Sequence, residues 1–207
     1  MSIVTYNNRS IRNISAIPGA AKSLTHIKTV TASSSSGTLS FVNGSSDVVL
    51  DSTYPIYKFV YTNMHPSGDG EGLKFQASTN TGSSYGVSCT NTAFRSQHNE
   101  ADSTAALDYD TGNDLANGTG FFIIAAGTGN DNDQSNSGEL TLFNPSSTTF
   151  VKHYLATSNA NEDADASKQY LCAGYFNTTS AIDAVQFKFG SGNIDSGTIK
   201  VYGLKDS

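Results

Sequence analysis

Apolar positions in this chain recur with a period of two in short runs, and seldom with the three-to-four spacing of a helix face. The clearest run is Tyr54 to Asn63 (YPIYKFVYTN). Successive side chains of an extended backbone point to opposite faces, so Ile56, Lys58, Val60 and Thr62 share one face and Tyr57, Phe59 and Tyr61 the other. Leu73 to Ser78 repeats the pattern with Leu73, Phe75 and Ala77 inward. The same reasoning predicts strands at Leu24 to Ala32, Thr38 to Val42, Val48 to Leu50, Tyr85 to Cys89 and Phe121 to Ala126. Further strands follow at Glu139 to Phe143, Phe150 to Thr157, Tyr170 to Phe176, Ala181 to Phe189 and Thr198 to Leu204.

Turn chemistry punctuates these runs. Asn43-Gly44 is a strong turn signal, Ser33 to Gly37 reads as a hairpin loop, and Asn80 to Ser84 reads as another. Gly190 to Gly197 reads as a glycine-rich hairpin between the last two strands. Pro66 to Gly72 and Gly127 to Gly138 are polar loops, and Ser158 to Ser167 is an acidic one. Only Ala93 to Ala116 lacks a clear period; within it Ala101 to Leu107 suits one or two helical turns capped by Asp102 or Ser103. About ten to twelve short strands at regular spacing predict an all-β chain, a two-sheet antiparallel β-sandwich of jelly-roll type. A parallel α/β fold lacks the helices it needs. Residues 1–22 read as an extended N-terminal arm, ended near Pro18-Gly19, and residues 23–207 as a single β-sandwich domain.

Composition strengthens the β reading. The hydrophobic fraction is 37% and the charged fraction 14%, both low for a globular chain. Gly, Ser, Thr and Asn fill the difference, and these residues favour turns over helix interiors. Cys89 and Cys172 form no CxxC pair and read as small buried hydrophobes, with a single disulfide left open by their spacing. Met1 to Asn13 has no apolar leader core, and no run approaches the ~18 apolar residues of a membrane span. The expectation is synthesis in a reducing cytoplasm with no membrane insertion.

Charge is uneven. Residues 1–46 carry Arg9, Arg12, Lys22 and Lys28 and no acid, whereas residues 96–167 carry eleven acids and one base, Lys152. A net charge of −6 without a basic footprint argues against nucleic acid as a partner. A basic arm ahead of an acidic domain suits an arm that orders against a partner protein, and its candidate contact residues are Ile3, Val4, Tyr6, Arg9 and Arg12.

Little in the sequence points to catalysis. No G-x-S-x-G elbow exists, and His26, His65, His98 and His153 lie scattered outside any HExxH pattern. Asp131-Asn132-Asp133-Gln134-Ser135, with Gly138 and Glu139 beyond, resembles the opening of a calcium loop. Glycine falls at position eight rather than six and the acid at nine rather than twelve, so Asp131, Asp133 and Glu139 are weak metal candidates. Asp102, Asp108, Asp110 and Asp114 form a second acidic group. Glycoside hydrolysis needs two facing carboxyls that spacing cannot pair, and Tyr85, Tyr109 or Tyr154 would have to stand in for the absent Trp as a sugar platform. Gly68-Asp69-Gly70 and Gly127-Thr128-Gly129 lack the following helix of a phosphate cradle. No cofactor and no catalytic residue is expected.

Four segments carry a family likeness: Ser2 to Ser10 (SIVTYNNRS), Tyr54 to Asn63 with Pro66, His98 to Asp102 (HNEAD), and Phe187 to Gly203 (FKFGSGNIDSGTIKVYG). In these the chain resembles a family of virion structural proteins of marine tailed bacteriophages. The resemblance implies a jelly-roll-like domain on the virion surface, assembled as a homo-oligomer among other virion proteins of the capsid or tail. The expected role is a capsid decoration or head-fibre subunit. A receptor-recognition module of a tail fibre or spike, reading a host surface glycan, is the alternative.

Overall fold

A computed structural model describes residues 24–33 and 36–205. The arm, with Ile3, Val4, Tyr6, Arg9 and Arg12, lies outside the described residues. Among the described residues twelve strands make up the fold. The first six are β1 (Leu24–Thr31), β2 (Leu39–Val42), β3 (Ile56–Pro66), β4 (Glu71–Ser78), β5 (Cys89–Asn99) and β6 (Ala105–Tyr109). The rest are β7 (Phe122–Thr128), β8 (Asn136–Phe143), β9 (Lys152–Glu162), β10 (Ala166–Phe176), β11 (Ala184–Phe189) and β12 (Ile194–Leu204).

All pairings are antiparallel, and the strands run in the order β1-β12-β3-β8-β9-β7-β4-β11-β2. A branch leaves β9 through β10 to β5 and then β6. The result is an all-β, nearly closed, barrel-like arrangement. β9 is the junction. Its ladder with β8 ends at Ala160 opposite Asn136, and one pair further on Glu162 meets Thr128 of β7.

The alternation read in the sequence survives in space. Along β3, Tyr57, Phe59 and Tyr61 are buried while Ile56, Lys58 and Val60 are only half-buried. Rings from strands far apart in order meet inside: Phe59 contacts Phe41, Phe75 and Phe187, and Phe75 contacts Phe122, Tyr154 and Phe176. Each such side chain contributes about 1.5–3 kcal/mol by leaving water, and this interior holds the curled ladder shut.

Several local expectations are corrected. Ala101 to Leu107 is not helical. Asn99 Oδ1 accepts the backbone N–H groups of Ser103 and Thr104, Asp102 takes a φ of 54°, and the chain reverses from β5 into β6. Ser158 to Ser167 is no loop, because β9 and β10 pair across it with only a tight turn at residues 163–165. Neither Ser33 to Gly37 nor Gly190 to Gly197 is a hairpin. β1 pairs with β12 while β2 pairs with β11, so both segments cross between non-neighbouring strands. The Glu71 carboxylate fastens the second crossing by accepting the Ser191 N–H at 2.9 Å and its hydroxyl at 2.5 Å. Val48 to Leu50 is buried but unpaired as a strand, and of Tyr85 to Cys89 only Cys89 joins a strand.

Candidate functional site

β8, β9, β10, β5 and β6 lie side by side, and their register decides which side chains face outward together. One row across them reads Glu139, Thr157, Leu171, Phe94, Tyr109. The row on one flank reads Thr141, Leu155, Ala173, Thr92, and the row on the other reads Ser137, Asn159, Gln169, Ser96, Leu107. Phe94 (45%), Leu155 (54%), Tyr109 (52%) and Leu107 (74%) are all exposed on this one sheet. Exposed apolar residues are ordinary singly, but neighbours on one face form a patch.

Two hollows adjoin on this surface. An apolar one of about 400 Å³ lies between Phe94, Leu155 and Leu171. A polar groove of about 620 Å³ follows, lined by Ser96, His98, Ser137, Asn159, Ser167 and Gln169. Asn159 Nδ2 donates to Ser167 Oγ at 2.9 Å, so amide and hydroxyl groups on adjacent strands hold one another in place. Lys58 Nζ bridges to Glu139 at 2.8 Å on the neighbouring outer surface.

No family model, no curated protein and no solved structure matches this chain. The site is therefore read from its own chemistry.

Burial pushes both the Cys89 and Cys172 thiols up to about 11, so at neutral pH neither is a thiolate. Both are free and buried, as their reading as small hydrophobes expects. Lys152 is buried, its Nζ donates to the Thr178 carbonyl at 3.1 Å, and burial pushes its pKa down. The histidines have four separate settings. His26 meets Thr29, His65 meets the Gln134 carbonyl, His98 meets Asp102, and the His153 ring lies 6.1 Å from that of Tyr175.

The metal candidates are not brought together. Glu139 is committed to Lys58, while Asp131 stays in the β7–β8 loop, its N–H donating to Gln134 Oε1. Among the described residues no group of three or more His, Cys, Asp or Glu side chains is placed to hold a metal ion. The second acidic group is likewise dispersed: Asp102 pairs with His98, Asp110 accepts from Tyr170, Asp114 accepts from Tyr109, and Asp108 lies opposite Arg95. Of the three candidate sugar platforms, Tyr154 is spent in the core, stacked on Phe122 at 4.7 Å, and Tyr85 leans on Phe121 at 6.5 Å. Tyr109 alone stands exposed beside the patch. Phe94, Leu155 and Leu171 escaped the sequence reading because only the register of β9, β10 and β5 makes them neighbours.

Proposed function

We propose that this chain is a bacteriophage virion structural protein, a capsid decoration or head-fibre subunit that works by contact and not by catalysis. The observation that carries the reading is the outward patch of Phe94, Leu107, Tyr109 and Leu155 on a sheet that ends in a free edge strand. An exposed surface of this kind suits a protein that is buried against others in its working state. The strand order supports a jelly roll of two facing sheets. The sets β1-β12-β3-β8 and β2-β11-β4-β7 have the interleaved order of two Greek keys, and rings from the two sets meet in the interior. On this reading β9, β10, β5 and β6 widen one sheet and create the outward face.

The test is location. Antibody raised against the purified chain should label the surface of intact phage particles at regular positions. Its absence from purified particles that carry the gene for this chain would overturn the reading. One observation favours a second role: the polar groove offers only neutral amides, hydroxyls and one imidazole, the chemistry that hydrogen-bonds a sugar. Saturable binding of a host glycan, lost in Asn159→Ala, would favour the receptor-recognition reading over decoration.

A further inference from the structure

Among the described residues β1, β2 and β6 each have a strand neighbour on one side only, so each leaves a row of backbone groups without a described partner on the other. For β6 the free groups can be named. Asp110 N–H donates to the Ala93 carbonyl and Asn99 N–H to the Thr104 carbonyl. With Tyr109 opposite Phe94, this parity turns the N–H and C=O of residues 104, 106, 108 and 110 toward β5. Ala105, Leu107 and Tyr109 therefore present theirs to the outside. The same edge is apolar on its outer face, through Leu107 and Tyr109, and acidic around it. Residues 96–115 hold Glu100, Asp102, Asp108, Asp110 and Asp114 and no Lys or Arg, with Arg95 opposite Asp108 and Asp110 buried against Tyr170.

The charge of the edges discriminates among partners. Self-pairing of two β6 edges would bring the exposed carboxylates Glu100, Asp102 and Asp108 and the half-buried Asp114 of both copies together. Residues 1–23 are the opposite: Arg9, Arg12 and Lys22 with no acid, behind the strand-forming run Ile3-Val4-Thr5-Tyr6. The other two edges carry less of this complement, since β1 carries Lys28 and no acid, and residues 33–52 about β2 hold two acids, Asp47 and Asp51, against five about β6.

We infer that the N-terminal arm of one copy adds as an extra strand to the free edge of β6 in a second copy. The Ile3–Tyr6 segment supplies the ladder bonds to Ala105, Leu107 and Tyr109. Arg9 and Arg12 then reach the surrounding carboxylates. Reach favours a neighbour over the chain's own edge. Seven strand spacings separate β1 from β6, about 34 Å along the sheet. If residues 3–12 were docked on the chain's own edge, residues 13–23, extended at about 3.5 Å each, would follow that curved path with little slack. A neighbour's β6 set beside β1 imposes no such demand. The inference rests on the reading of the chain as an assembling structural protein, and it names the segment and the edge that do the assembling.

The experiment compares the full chain with a chain lacking residues 1–22 by light scattering over a range of concentrations, and adds a synthetic peptide of residues 1–15 to the shortened chain. The full chain should self-associate and the shortened one should be monomeric. The peptide should slow hydrogen exchange at Ala105, Leu107 and Tyr109. Its affinity should fall about tenfold or more between low and high salt, as a contact among exposed charges requires. Leu107→Pro removes one outward N–H and leaves the β5 ladder intact; it should abolish peptide binding, while Leu107→Val retains it. Self-association of the shortened chain, binding undiminished by Leu107→Pro in a protein of unchanged circular dichroism, protection at β1 instead of β6, or no binding at all would each overturn the inference. If the arm fails to pair yet the chain decorates particles, only this inference falls. If the arm pairs yet particles lack the chain, only the virion assignment falls.

Discussion

Gly174 sits in the middle of β10, where β9 and β5 flank it on both sides. A methyl group there would come within 2.6 Å of the Thr90 carbonyl oxygen and 2.5 Å of the Tyr154 hydroxyl. One of those atoms is backbone in a paired strand, and the other belongs to a ring locked against Phe122 and Phe176. Gly174→Ala should therefore destabilise the fold by about 2 kcal/mol, read as a lower urea midpoint. An unchanged midpoint would mean that the Tyr154 ring moves freely, contrary to its stacking. No residue pattern in the sequence marks this glycine as special. The constraint comes from Tyr154, twenty residues earlier, and from a strand pairing that local spacing does not encode.

The β9–β10 hairpin is the seam of the structure. Glu162 closes β9, contacts Thr128 of β7 through the ladder, and pairs through its carboxylate with Lys168, whose side chain is 5% exposed. Glu162→Gln would remove the carboxylate that pairs directly with the buried Lys168 ammonium, at a cost of about 3 kcal/mol. Hydrogen exchange should rise first at Thr128 and Gly129, where β7 leaves β9. Uniform acceleration across all strands would instead show that the seam has no separate stability. Element by element, β3, β4 and β7 were legible because their alternation is strong and their interior rings are large. The facing ends of β9 and β10 and the β5–β6 turn were not, because polar residues such as Asn159 and Asn161 carry no apolar period and are held in strands by their neighbours. The outward patch was illegible for the same reason, since it exists only once three such strands are aligned.

The interior as a whole carries a pH signature. Burial pushes Tyr57 up to about 12 and the two thiols up to about 11, and it raises Tyr61, Tyr154 and Tyr170 as well. In the unfolded chain thiols lose their protons near pH 8.5 to 9 and phenols near 10. Above those values the folded state holds more protons than the unfolded one, so stability falls as pH rises. The contribution is full below about pH 8.5 and is lost through pH 11 to 12 and beyond. Alkaline titration should show tyrosinate absorbance from these four rings appearing together with loss of the β circular-dichroism signal. A gradual rise with the spectrum intact would show that the four rings are open to solvent.

Leu24 and Leu204 are opposite one another in the β1–β12 ladder, so the polypeptide enters and leaves the network at a single corner, with Cα atoms about 5 Å apart. A short tether could join them and new ends could be cut at an exposed bend such as residues 79–84, giving a circular permutant with the same interior.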